Sequence, residues 1–243
     1  GLIMEPIIWT ENVNRIFRSG DTQVHALKDV SIQVSPGELL VLRGRSGSGK
    51  TTLMNILSAL DSPTSGKVYV EGKEITALPE AARDELRRTD MSFVFQSVAL
   101  MSQMNAYENV EFGLRIAGYP AKDRQKRAEE ALTLVDLKQR MRHRPAEMSG
   151  GEQQRVAIAR AIAHHPKVLF ADEPTAELDT AMGLQVMRLF RELVAKEGVT
   201  MIMTTHDPNM MELADHVYSI QDGMITEETY NPEAAAAFKE VQP

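Results

Sequence analysis

The sequence predicts an α/β fold with a parallel sheet at its centre. Three observations carry this expectation. First, Leu39-Leu40-Val41-Leu42 is an uninterrupted apolar run, as a strand covered on both faces requires. It leads through a glycine-rich loop straight into a helical pattern that starts at Lys50. Second, another apolar run at residues 168–172 is followed by a helical stretch at 181–196 and a further strand at 200–205, the alternation of a parallel sheet. Third, residues 106–165 between these two parts read almost wholly as helix, so a helical segment is expected inserted within the α/β core.

The elements follow in order. Residues 7–14, 26–34 and 38–43 are strand-like, with Ser35-Pro36-Gly37 as a turn, so an N-terminal antiparallel β part is expected. The helix from Lys50 runs to about Leu60. Turn residues then precede a short strand at 67–71, and another strand is expected at 91–95. The helical segment is broken at Gly118-Tyr119-Pro120 and at Pro145, and charge-rich residues 122–130 read as a solvated helix face. A strand pair at 216–220 and 224–226 closes the chain, and Ala234 to Ala237 suggests a short surface helix. No internal repeat is visible. One domain over 1–243 is expected, with a core of 1–96 and 166–243 and a helical part of 97–165.

Composition narrows the function. The 243 residues are 43% hydrophobic and 25% charged, close to globular averages of about 45–50% and 25%, so a sizeable core can be buried. The absence of cysteine removes disulfides, thiolate metal sites and a cysteine nucleophile. A net charge of −7 argues against nucleic acid as a partner, since binding there is driven by cations releasing counterions. Residues 1–14 carry Glu5 and Pro6 and lack the basic start and apolar stretch of a signal peptide. No apolar stretch approaches the ~18 residues of a membrane span.

Gly44-Arg45-Ser46-Gly47-Ser48-Gly49-Lys50-Thr51 fits G-x-x-x-x-G-K-[ST] and stands between a buried strand and a helix, the context in which such a loop wraps phosphate. Its glycines let successive N–H groups point inward, and the helix adds its positive N-terminus. Lys50 is expected to neutralise the β and γ phosphates and the Thr51 hydroxyl to ligate Mg²⁺. The glycine spacing is not that of a dinucleotide fingerprint. Asp172-Glu173 ends an apolar strand, where the carboxyl edge of a parallel sheet lines its crevice. Asp172 can hold Mg²⁺ through water there, and Glu173 can act as general base on a water attacking the γ-phosphate.

Ser149-Gly150-Gly151-Glu152-Gln153-Gln154-Arg155 opens a helix whose apolar positions Val156, Ala159, Ile162 and Ala163 recur at helical spacing. Ser149 and Glu152 read as a capping box. Two glycines in a first helical turn weaken it by about 1 kcal/mol each relative to alanine, which suggests a close approach to bare backbone, such as a phosphate at the helix N-terminus.

Together these three motifs resemble the nucleotide-binding subunit of ATP-binding cassette (ABC) transporters, and the likeness runs over nearly the whole chain. The resemblance implies a phosphate-loop ATPase that takes ATP and Mg²⁺. Nucleotide contacts fall on Phe17, Gly44, Arg45, Ser46, Gly47, Ser48, Gly49, Lys50, Thr51 and Thr52. It further implies that Ser149, Gly150, Gly151 and Glu152 close over ATP held by a second copy in a head-to-tail dimer, with Asp179 contacting that copy. Gln96 resembles the glutamine that senses Mg²⁺ and attacking water, and His206 the histidine that meets the γ-phosphate. Catalysis would rest on Glu173, His206, Gln96 and Lys50, and metal binding on Thr51, Gln96 and Asp172. Phe17 stands where an aromatic, usually tyrosine, stacks on adenine; Met148, Glu152 and Glu177 depart from the common residues without removing a catalytic group.

Within the family, residues 18–31 and Asp207-Pro208 resemble the branch of lipoprotein-release, macrolide-efflux and antimicrobial-peptide-resistance ATPases. That branch implies an integral membrane subunit with few spans and a large extracytoplasmic domain, and a place on the cytoplasmic face of the inner or plasma membrane. An importer or a cell-division complex remains an alternative; a translation or DNA-repair factor fits less well, because there is one cassette and no long insertion. Residues 98–107, with Met101 and Met104, either line a groove for the membrane partner or pack in the core.

Overall fold

The computed structural model describes residues 5–232. The chain opens with β1 (Ile8–Ser19), β2 (Thr22–Val30), β3 (Gln33–Val34) and β4 (Leu39–Arg43), followed by helix α1 (Lys50–Leu57). Next come β5 (Ser65–Val70), β6 (Lys73–Glu74), α2 (Glu80–Thr89) and β7 (Met91–Val94). The helical middle holds α3 (Ala106–Ile116), α4 (Ala121–Leu134) and α5 (Gly150–Ile162). The chain then returns through β8 (Val168–Asp172), α6 (Thr180–Glu197), β9 (Thr200–Thr205), β10 (His216–Gln221) and β11 (Met224–Tyr230).

Two sheets result. In the six-stranded one, ordered β11-β10-β4-β9-β8-β7, the last five run parallel and only the edge strand β11 is antiparallel. The other, β2-β1-β5-β6 with β3 on β1, is antiparallel throughout. Residue order explains the uninterrupted apolar runs. Leu39 and Val41 of β4, Leu169 and Ala171 of β8 and Met201 and Met203 of β9 point into a core shared with α3, α4, α5 and α6. Their neighbours Leu40, Leu42, Val168, Phe170 and Ile202 point to the opposite face, against α1 and the antiparallel sheet. With both faces dry, the period of two in side-chain direction leaves no alternation in polarity.

The fold class is the expected one: a parallel-sheet core, an N-terminal antiparallel part and an inserted helical segment. Several details differ. Helix α2 lies where no element is expected, because it buries no residue and carries the string Glu80-Ala81-Ala82-Arg83-Asp84-Glu85-Leu86-Arg87-Arg88. It is tied down by charge: Arg83 Nη2 donates to Ala59 O at 2.7 Å, and Arg87 reaches the same carbonyl as well as Glu80 and Asp84. Strand β1 runs five residues past its expected end at 14 because it pairs with β5 first and with β2 afterwards, changing register around Asn14. The stretch from 135 to 149 holds only two short 3-10 turns, Lys138–Arg140 and Pro145–Glu147, between α4 and α5. The alanine-rich segment Ala234 to Ala237 lies outside the described residues.

Candidate nucleotide site

The parallel register aligns three strand ends. Arg43 of β4 pairs with Thr205 of β9, and Thr204 of β9 pairs with Asp172 of β8. The glycine loop after β4, His206 after β9 and Glu173 after β8 therefore meet at the carboxyl edge of the sheet. The loop is braced from behind by the turn between β10 and β11, where Gly223 N donates to Ser48 O at 2.9 Å. Its glycines are required for space. A Cβ at Gly44 would stand 2.7 Å from Ile220 O, and one at Gly49, whose φ is +110°, would stand 2.9 Å from Ala26 O; both obstacles are backbone and cannot move aside.

The Lys50 side chain is buried at the start of α1. Its Nζ donates to Gly44 O at 2.7 Å and to Glu173 Oε1 at 2.8 Å. His206 Nδ1 lies 3.0 Å from that same carboxylate oxygen. Glu173 itself has φ of +46°, in the left-handed region that a residue with a Cβ enters at a cost. Thr204 holds it there: the Thr204 hydroxyl accepts from Glu173 N at 2.9 Å and donates to Asp172 Oδ1 at 2.7 Å. Thr51 Oγ1 donates to the same Asp172 oxygen at 3.4 Å. Lysine, two carboxylates, histidine and two threonine hydroxyls thus form one connected polar cluster.

The cluster faces a cavity of about 570 Å³ whose lining includes Ser46, Gly47, Gly49, Lys50, Thr51, Thr52, Gln96, Asp172, Glu173 and His206. Gly44, Arg45 and Ser48 line a neighbouring space of about 660 Å³ on the other side of the loop. Ser48 Oγ is buried with no hydrogen-bond partner among the described residues, and the glycine-rich loop offers successive backbone N–H groups; both suit a phosphate-bearing ligand. The Thr51 hydroxyl beside the Asp172 carboxylate is an all-oxygen pair of the kind that suits Mg²⁺.

The remaining expected residues lie elsewhere. Phe17 is not among the residues lining the cavity, whereas Val24, its cross-strand partner, is. The Phe17 ring is half exposed, and the Arg15 guanidinium sits 4.1 Å from its centroid, itself held by Asp61 at 2.8 Å. Ser149, Gly150, Gly151, Glu152 and Asp179 line none of the nucleotide cavity. The capping box forms as expected: Ser149 Oγ accepts from Glu152 N at 3.2 Å and Glu152 Oε1 accepts from Ser149 N at 3.1 Å. That backbone hydrogen bond, with Arg140 nearby, holds the Glu152 carboxyl below its ordinary value. Asp179 caps α6 by accepting from Met182 N at 2.8 Å.

The two helix-start glycines part company. A Cβ at Gly151 would meet Met182 Cε at 2.5 Å, the far end of a flexible side chain that can swing aside, so packing within the chain is only a weak reason for this glycine. At Gly150 the nearest atom would be 4.0 Å distant, and packing gives no reason for the missing side chain. Sequence reasoning passed over Thr204, His25, Lys28 and the Asp222-Gly223 turn. Thr204 stands two residues before His206 on an apolar strand, and nothing local marks it; its role comes from lying beside Asp172 in the sheet.

Fold and loop define a phosphate-loop nucleotide-binding protein. The family model described as ABC transporter matches residues 27–176. An uncharacterized ABC transporter ATP-binding protein of Thermotoga maritima is 44% identical over 91% of this chain and 94% of its own length. The macrolide export ATP-binding/permease protein MacB of Hahella chejuensis is 43% identical over 94% of this chain, which spans only 35% of that relative's length. Among solved structures, the ATP-binding cassette MJ0796 bound to ADP and Pi, a dimer, is 36% identical with a TM-score of 0.81, covering 92% of this chain and 98% of that one. The cbiO1 protein of Clostridium perfringens, part of the ABC transporter complex cbiONQ, is 31% identical with a TM-score of 0.85, covering 98% and 93%. The chain belongs to the ABC transporter family, as one of its ATP-binding cassettes.

Proposed function

We propose that this ATPase cassette binds ATP with Mg²⁺ in the cavity beneath the glycine loop and hydrolyses it between two copies arranged head to tail, driving an integral membrane partner. The observation that carries this reading is the shared Glu173 oxygen, held by Lys50 and His206 together. Incoming β and γ phosphates compete for Lys50, which leaves Glu173 free to accept a proton from water aligned with the γ-phosphate. His206 remains beside that carboxylate to hold the terminal phosphate. Thr51 and Asp172 would hold Mg²⁺, with Gln96 lining the same cavity; when bound, the ion neutralises charge on the β and γ phosphates. Phe17 would offer a ring face to the adenine.

The second copy supplies Ser149, Gly150, Gly151 and Glu152 to the nucleotide, with Asp179 at the contact. The capping box favours this assignment, because Ser149 Oγ accepts from Glu152 N and keeps its own proton to donate to phosphate. The helical part, residues 97–165, is proposed as a subdomain that carries the Ser149-Gly150-Gly151 end of α5, inserted in the core formed by residues 1–96 and 166–243. Likeness to a macrolide export protein favours the branch with few membrane spans and a large extracytoplasmic domain, which would place the cassette on the cytoplasmic face of the membrane. Among the described residues no helix is long and apolar enough to cross a membrane.

Glu173→Gln tests the chemistry. Phosphate release should fall at least about a hundred-fold, the scale of a lost general base, while ATP binding persists. Undiminished turnover overturns the assignment of the base. Mass spectrometry of what co-purifies with tagged Glu173→Gln protein from detergent-solubilised cells, with ATP and Mg²⁺, tests the partner: a many-span permease, or ribosomes without a membrane protein, overturns the branch.

A further inference from the structure

Gln154 is a polar side chain buried to 1% exposure in the first half of α5. Its Nε2 donates at 2.7 Å to the carbonyl of Pro174, the residue after Glu173. Its Oε1 is buried with no hydrogen-bond partner among the described residues. The adjacent Gln153 points the other way, donating to Pro145 O at 2.9 Å and Met148 O at 3.2 Å within the helical part. Successive glutamines therefore tie the N-terminal turns of α5 in two directions, one to the helical part and one to the strand-end carboxylates. Farther along the same helix, Arg160 Nη1 donates at 2.8 Å to Ala99 O, in the segment that follows Gln96.

Gln154 also lines a separate cavity of about 290 Å³, together with Gln96, Ser97, Gly150, Pro174 and Glu177. Gln96 lines both this cavity and the nucleotide cavity. The Glu173 backbone needs restraint because of its left-handed conformation, and beyond Thr204 the Gln154 amide supplies a second hold, one residue downstream. A buried amide that keeps its donor paired while its acceptor stays unpaired and shielded from solvent carries a cost that packing alone does not repay.

We infer that Gln154 is a positioning residue: it couples the Ser149-Gly150-Gly151 end of α5, through Pro174, to the backbone that sets Glu173. Displacement of the α5 N-terminus by nucleotide on a second copy then moves Pro174 and, through it, the proton acceptor. The inference rests on the proposed hydrolytic reading and adds to it a path between the two ends of the composite site.

The test compares Gln154→Leu and Gln154→Glu with the wild-type chain, measuring ATP turnover and amide hydrogen exchange. Gln154→Leu should lower kcat on the order of ten-fold, the scale of one positioning hydrogen bond, with KM for ATP within about two-fold and amides of residues 173–176 exchanging faster in nucleotide-free protein. In Gln154→Glu the introduced carboxyl regains a donor to Pro174 O only when protonated. Burial and the nearby Glu177 carboxylate, the one titratable group among the described residues lining that cavity, raise its pKa. Its activity relative to wild type should therefore recover as pH is lowered from about 8.5 to about 6, while the Gln154→Leu ratio stays flat. Unchanged kcat and unchanged exchange in Gln154→Leu overturn the inference. So does a uniform loss of kcat, affinity and melting temperature with no recovery of Gln154→Glu at low pH. Wild-type chain that hydrolyses no ATP overturns the hydrolytic reading alone, and the exchange rates of 173–176 then decide this inference.

Discussion

Glu173 illustrates how one residue depends on another that the sequence does not mark. Its positive φ is a strained choice, tolerated because Thr204 takes its N–H and Asp172 takes the proton of Thr204. Thr204→Val keeps the shape and removes both bonds in a fully buried place. The chain should lose about 2 kcal/mol of stability, the cost of buried groups left unpaired, and turnover should fall about ten-fold, read by thermal melting and phosphate release. Gly151→Ala makes the opposite test. Only the mobile end of Met182 stands in the way, so stability should change by less than about 0.5 kcal/mol. If a partner's nucleotide lies on this backbone, turnover should nevertheless drop with the melting temperature unmoved; a parallel fall in both would return the residue to a packing role.

At the scale of elements, β4, β10 and β11 are clasped by His216, whose ring is buried between two carboxylates: Nδ1 lies 2.7 Å from Glu38 Oε1 and Nε2 2.9 Å from Glu228 Oε1. The ring also stacks on Tyr230 at 4.0 Å. Burial pushes the imidazole pKa down, but the hydrogen bonds and charges of Glu38 and Glu228 outweigh it, and the value stands above the ordinary one. Burial likewise pushes Glu228 up, and its bonds from His216, Tyr218 and Tyr230 bring it below the ordinary value. The signs set the window. The raised histidine contributes in full below its unfolded value of 6.5 and loses that contribution as pH rises through its folded value. The lowered Glu228 contributes above its unfolded value of 4.5 and loses it as pH falls through its folded value. The clasp is therefore strongest between 4.5 and 6.5, and the melting temperature should decline on the alkaline side. His216→Leu leaves the nearly buried Glu38 unpaired, costs about 3 kcal/mol, and should abolish the histidine part of that alkaline decline. An alkaline limb of unchanged slope would refute it.

Elements also show what pattern reading can reach. The apolar runs of β4, β8 and β9 and the capped start of α5 were legible, because burial on both faces and helix capping each leave a local signature. Helix α2 left none. It is held by Arg83 and Arg87 reaching the carbonyl of Ala59 just past α1; its inward stripe of Ala82, Arg83, Leu86 and Arg87 is only half-buried and half made of arginine, with Leu86 its one large apolar residue, so it reads as charged surface and not as a core-facing helix. The bulged course of β1 between two partners was equally invisible, since register is decided by strands distant in sequence.

At the scale of the molecule, the surface after Gln96 bears on the proposed membrane partner. Met101 is 45% exposed and Phe95 53%, so neither is core, while the buried Asn109 pins the segment by bonds to Met101 N, Met101 O and Met104 O. Exposed apolar side chains on a backbone held this firmly suit a protein contact. Paired Met101→Asp and Met104→Asp should leave ATP binding and the melting temperature intact while the membrane partner no longer co-purifies; loss of ATP binding would assign these side chains to folding instead. Light scattering of Glu173→Gln chain should show a dimer that requires ATP, since two acidic copies repel one another without it.

The sequence by itself determined the fold class, the phosphate loop and the identity of its strand-end carboxylates, because short-range chemistry dictates them: glycines where backbone must approach ligand, apolar runs where a sheet is covered, a serine and a glutamate three residues apart where a helix begins. Only the tertiary structure decided that Lys50 and His206 share one oxygen of Glu173, that Thr204 takes the Glu173 N–H, and that Gln154 takes the carbonyl of the next residue, Pro174. These contacts join residues separated by 20 to 123 positions, brought together by the register of parallel strands and the packing of α1 and α5 against them, and no local pattern encodes either.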